Sequence, residues 1–122
     1  MRKFFVIALV LTASLCACKH DVITPPAQDP GGRCNPSVFN YADGVKPIIQ
    51  RNCTGCHSGA TPPAGLDLSN YEVVKTVATN GRLLGAINHR PGYKAMPFMG
   101  TKLGSCEIET ITKWALEGAP NN

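Results

Sequence analysis

Three observations predict an all-α domain of three to four helices. Apolar residues recur at helical spacing in segments with their own start and stop residues, as at Val45, Ile48 and Ile49. The foldable part, residues 34–122, is too short to bury a large apolar core unaided. Cys53-Thr54-Gly55-Cys56-His57 is C-x-x-C-H, the attachment signature of a c-type haem. One covalent porphyrin would supply the missing core.

The spacing of that motif has a physical reason. Two thiols on one helical turn can both reach vinyl groups on one porphyrin edge, and His57 then stands under the iron, able to ligate it through Nε2. Thr54 and Gly55 are small and let the backbone pass close to the ring. A zinc site wants two more Cys or His ligands at short spacing, and none follows. A thioredoxin-like pair wants a βαβ setting, which the chain does not show.

Residues 1–17 read as an export signal. Arg2 and Lys3 precede an apolar run, Phe4 to Leu15, too short for a permanent membrane span. It ends in Leu15-Cys16-Ala17-Cys18, which resembles a bacterial lipobox with Cys18 as the lipidated residue. Cys16 would place the bulky Leu15 before the cleavage point and is the poorer choice; a simple secretory signal is the plainer alternative. Either way the chain is exported to an oxidising compartment. A lipidated Cys18 tethers it to a membrane without spanning it. Lys19 after it, rather than Asp, favours the outer membrane. Residues 18–33 hold Pro25, Pro26, Pro30, Gly31 and Gly32 and almost no large apolar residue, so they form a linker in which His20 is a passive polar residue.

Within 34–122 the helices follow in order. Ser37 to Tyr41 reads as a short extended segment. Asp43 is the expected N-cap of a first helix running through Ile49 toward Cys53, with Pro47 tolerated in its first turns. Ser58 to Leu68 is a Gly/Pro-rich loop. A ligating histidine donates Nδ1–H to a carbonyl, here expected from Pro62 or Pro63, with Leu66 and Leu68 closing over the proximal side. Ser69-Asn70-Tyr71-Glu72 is a capping box for a second helix that stops at Asn80-Gly81. Arg82 to Asn88 makes a short third helix, halted by Pro91-Gly92. An irregular stretch to Gly104 carries Met96 and Met99. Ser105 is the expected cap of the last helix, with Glu107 and Glu109 at its positive end and Ile108, Ile111, Trp114 and Ala115 facing inward. Gly118 and Pro120 end it.

This order of parts resembles the class I cytochrome c fold, and more closely the small cytochrome c modules of exported and lipid-anchored proteins in Bacteroidetes and related bacteria. The matching pieces are Val45-Lys46-Pro47-Ile48-Ile49 before Asn52-Cys53-Thr54-Gly55-Cys56-His57-Ser58, then Met96-Pro97, then Ile108, Ile111 and Trp114 with Gly118-Ala119-Pro120. The resemblance covers about residues 34–122. It implies one haem c and, with Pro97 stiffening the strap, points to Met96 as the second axial ligand. Met99, suited to packing at a haem edge, and His89 are the alternatives.

Cysteine counting leaves Cys34 and Cys106 once Cys16 departs with the signal, Cys18 takes lipid, and Cys53 and Cys56 take haem. They are expected to pair as a disulfide; two buried free thiols are the alternative. From Cys18 onward ten Lys and Arg stand against eight Asp and Glu, a balance of +2, with no basic run interleaved with aromatics, so nucleic acid is not an expected partner. The expected function is one-electron transfer to redox partner proteins, not catalysis, because His57 with Met96 leaves no open coordination position. A haem enzyme or gas sensor with a displaceable distal ligand, and a haem subunit of a larger oxidoreductase, are the alternatives.

Overall fold

A computed structural model of the chain describes residues 34–122; the expected export signal, the expected lipidation residue Cys18 and the expected linker lie outside the described residues. The described residues are all-α, with no strand among them. Four α-helices follow one another: α1 (Lys46–Asn52), α2 (Tyr71–Thr79), α3 (Arg82–Ile87) and α4 (Ser105–Leu116). A π-helical turn, Tyr41–Val45, runs directly into α1, and a 3-10 turn, Pro63–Gly65, lies between α1 and α2.

The first helical run starts earlier than Asp43, and Ser37–Tyr41 is not a strand. A turn closes from the Val38 N–H to the Asn35 carbonyl, 2.9 Å. Asn40 is the cap: its Oδ1 accepts the N–H groups of Asp43 (2.8 Å) and Gly44 (3.2 Å), which places Asp43 inside the first turn. The Lys46 N–H then reaches back five residues to the Tyr41 carbonyl, the mark of a widened turn. Pro47 follows it, and a proline ring crowds the carbonyl four residues back. A wider turn just before Pro47 is one way for a helix to pass that crowding. Gly44 is needed for a different reason: a Cβ there would strike the Val38 carbonyl oxygen.

Two other caps move. Asn70, not Ser69, caps α2, with its Oδ1 accepting the Glu72 N–H at 2.9 Å. The Ser69 side chain is committed elsewhere, its hydroxyl donating to Asp67 Oδ1. Gly104, not Ser105, is the cap residue of α4; the Glu107 carboxylate reaches back to accept its N–H at 3.3 Å, half of a capping box, since glycine has no side chain to reciprocate. α2 gives way to α3 at Gly81 (φ 80°), as Asn80-Gly81 leads one to expect. α3 ends at Ile87, and left-handed backbone at His89 (φ 54°) follows before Pro91-Gly92.

The core is centred on Trp114, fully buried in α4. Its ring stacks on Tyr41 with centroids 5.4 Å apart, and Tyr41 meets Tyr71 edge-on at 4.8 Å. The polar tips are satisfied by the chain's last residues: Trp114 Nε1–H donates to the Pro120 carbonyl and the Tyr71 hydroxyl to that of Ala119, each 2.8 Å. Asn122 closes the ring, accepting the N–H groups of Tyr41 and Ala42. Val45, Ile48 and Ile49 complete this side, while Ile111 is buried and Ile108 and Ala115 are half-buried. Sγ of Cys34 lies at disulfide-bonding distance from Sγ of Cys106, with Cα atoms 6.2 Å apart across a sequence separation of 72. Such a link is worth about 4 kcal/mol in the chain-entropy model. It would fix Cys34 to the first turn of α4.

Candidate functional site

C-x-x-C-H sits where α1 runs out. The Cys53 N–H still bonds the Ile49 carbonyl (2.9 Å), and the Cys53 carbonyl then accepts the N–H groups of Cys56 (3.1 Å) and His57 (2.8 Å). One tight turn therefore carries all three residues. Thr54 Oγ1 donates to the Gln50 carbonyl and Ser58 Oγ to that of Thr54, tying the turn to the helix before and the loop after. Cys53 and Cys56 are both unbonded; Cys53 is half-buried against the core and Cys56 is exposed. Burial, and then the negative charge of Glu107, push the Cys53 thiol up to about 11. That is the reverse of the depressed value that makes a redox-active C-x-x-C thiol reactive. Among the described residues no group of three or more His, Cys, Asp or Glu side chains gathers as a metal cluster would.

Glu107 braces the site. Its Oε1 accepts from Asn52 Nδ2 (3.1 Å) and Arg51 (3.4 Å), joining the start of α4 to the end of α1 beside Cys53. The sequence marks Glu107 only as favourable for the α4 dipole; its position three residues into the helix was the available signal.

His57 is half-buried and lies with Nδ1 3.3 Å from the Leu66 carbonyl oxygen. The expected acceptors, Pro62 and Pro63, are corrected to Leu66, and the reason is local. Their carbonyls are already taken by the N–H groups of Gly65 (3.0 Å) and Leu66 (3.2 Å) in the 3-10 turn. Left-handed backbone at Ala64 (φ 57°) and Gly65 (φ 66°) then reverses the chain and turns the Leu66 carbonyl toward the ring. A carbonyl can only accept, so in the neutral imidazole this bond selects the tautomer with the proton on Nδ1 and the lone pair on Nε2.

Met96 arrives on a separate strap held against the end of α3. Its N–H donates to the Ala86 carbonyl at 3.1 Å, and its own carbonyl accepts from His89 Nε2 at 3.0 Å. The Met96–Pro97 peptide is cis. Met96 is half-buried, whereas Met99 is 92% exposed at the corner of a tight turn closed from the Gly100 N–H to the Pro97 carbonyl. The His89 ring is committed to the Met96 backbone. Nothing in the sequence distinguished that role from an idle surface histidine.

The residues present fit a covalent haem: two free thiols on one turn, an imidazole with Nε2 unencumbered, and a thioether on a fixed strap. Leu66, Leu84 and Ile108 pack on the core and are half-buried. No protein-family model, curated protein or solved structure matches the chain.

Proposed function

We propose that this chain is a small c-type cytochrome that carries single electrons in an exported redox chain. The observation that carries the reading is the His57 imidazole, held by the Leu66 carbonyl with Nε2 free, on the same turn as two unbonded cysteines. Cys53 and Cys56 would hold the haem through thioether bonds, and His57 and Met96 would be the axial ligands. Bound there, the haem supplies a one-electron ferric/ferrous couple. The protein's part is to fix ligand geometry and basicity. Leu66 orients His57 and makes it a better donor. The strap presents a neutral sulfur, which favours the ferrous state. A filled ligand set leaves the protein as a carrier and not an enzyme, with redox proteins as partners. The fold that fits this reading is class I cytochrome c-like.

The proposed setting is the cell envelope, with Cys18 lipidated and the outer membrane favoured. Cys18→Ser should move the protein from the membrane to the soluble exported fraction; release by Cys16→Ser instead would shift the anchor to that residue. For the redox reading, optical spectra of the matured protein in both oxidation states are the test. A six-coordinate low-spin haem with an iron–sulfur charge-transfer band is expected. Ready binding of carbon monoxide to the native ferrous protein would favour a sensor or enzyme with a displaceable ligand.

A further inference from the structure

We propose that His89 is a positioning residue for the sulfur ligand: by donating Nε2–H to the Met96 carbonyl, it locks the strap so that the thioether is offered at one place. The proposal rests on the reading of Met96 as the distal ligand. The geometry has three parts. Met96 is pinned on both sides of its Cα, with its N–H on Ala86 (3.1 Å) and its carbonyl on His89 (3.0 Å), so that the side-chain torsions are what remain free. His89 adopts a left-handed backbone (φ 54°), where Gly or Asn is the usual choice at a helix end and other residues are strained. The Arg90 N–H, bonded to the Gly85 carbonyl at 3.0 Å, holds that conformation. The intervening chain is folded down on α3, with the Tyr93 ring so close over Gly85 that a Cβ there would lie 2.5 Å from it. Residues 88–96 thus form a clasp whose last fastening is the His89 bond.

A loop bond with a merely structural role would alter stability and leave the iron–sulfur interaction as it was. A positioning bond alters how firmly the thioether is retained against a competing ligand, and any side chain with a donor at similar reach restores it. The experiment uses the matured holoprotein, with carbon monoxide titrated against the ferrous form and the near-infrared iron–sulfur band recorded in the ferric form. His89→Ala and His89→Phe should both raise apparent carbon monoxide affinity about fivefold to tenfold, the scale of one lost hydrogen bond, and weaken the band. His89→Gln, which keeps an N–H donor, should stay within about twofold of the parent protein. Parent-like carbon monoxide affinity and band in both His89→Ala and His89→Phe would overturn the proposal. So would a His89→Gln variant as impaired as they are. If the parent protein itself shows no iron–sulfur band, the ligand assignment to Met96 has failed, and the role of His89 falls with it.

Discussion

His57 Nδ1 lies 3.3 Å from the carbonyl oxygen of Leu66, and the Leu68 N–H returns to the His57 carbonyl at 2.8 Å, so the loop after the C-x-x-C-H turn is closed on the histidine from both sides. The closure depends on left-handed backbone at Gly65 (φ 66°). A β-branched residue there would cost about 1–2 kcal/mol and swing the Leu66 carbonyl away. Gly65→Val should therefore weaken the bond to Nδ1, lower the basicity of His57 and destabilise ferric iron. The midpoint potential should rise by roughly 30–60 mV, about 1 kcal/mol for a one-electron couple. A redox titration showing no change would separate this bond from ligand tuning.

Met96→His should keep the haem six-coordinate and low-spin while lowering the midpoint potential, because imidazole donates more strongly than thioether and stabilises ferric iron. Each 59 mV lost is a factor of ten, or roughly 1.4 kcal/mol. Met99→Leu should change the potential little, as Met99 is 92% exposed. Loss of the ferric near-infrared band in the Met99 variant and its survival in the Met96 variant would exchange their roles.

Trp114 joins α4 to the first helical turn and to the chain's last residues, through its stack on Tyr41 and its bond to Pro120. Trp114→Phe keeps most of the packing but strips the partner from the Pro120 carbonyl, and should cost about 1–3 kcal/mol. Trp114→Ala should cost about 3–5 kcal/mol by opening a cavity. Urea unfolding followed by helical circular dichroism should show the midpoint falling in that order at unchanged slope.

Burial, and then the neighbouring Tyr71 hydroxyl, raise the Tyr41 phenol above its ordinary value of 10.0. Folding therefore favours the protonated phenol. The stability this contributes is complete below about pH 10 and is lost as pH rises through the raised value. Urea midpoints should fall between about pH 8 and about pH 11, and less so in Tyr41→Phe, which keeps the stacking without the titrating group. An equal fall in both proteins would assign the alkaline loss to other groups.

The helices were legible because their signals are local and redundant. Val45, Ile48 and Ile49 mark a buried face, and Asn80-Gly81 marks a stop, whatever the rest of the chain does. The caps were legible only to within a few residues, because cap-competent side chains stand near one another. The choice fell on Asn40 over Asp43 and Asn70 over Ser69 according to where each side chain found its bond. The turn that holds Cys53, Cys56 and His57 was legible as a motif, since its residues are contiguous. The Leu66 acceptor was not, because it depended on which proline carbonyls the 3-10 turn consumed. Nor were Glu107 and His89, whose partners, Asn52 and the Met96 backbone, are brought to them by the fold rather than by a motif.

The central claim is that one haem is bonded covalently to Cys53 and Cys56. Its most direct measurement is haem staining on a denaturing gel, together with the intact mass of the protein matured by a host able to attach haem c. The parent chain should stain and carry the mass of one haem. Cys53→Ala and Cys56→Ala should each weaken or abolish the stain, and the double variant should carry none. His57→Ala should disturb iron ligation and spin state while both cysteines remain. An unchanged stain and mass in the double cysteine variant, or a parent chain that never acquires haem, would contradict the claim.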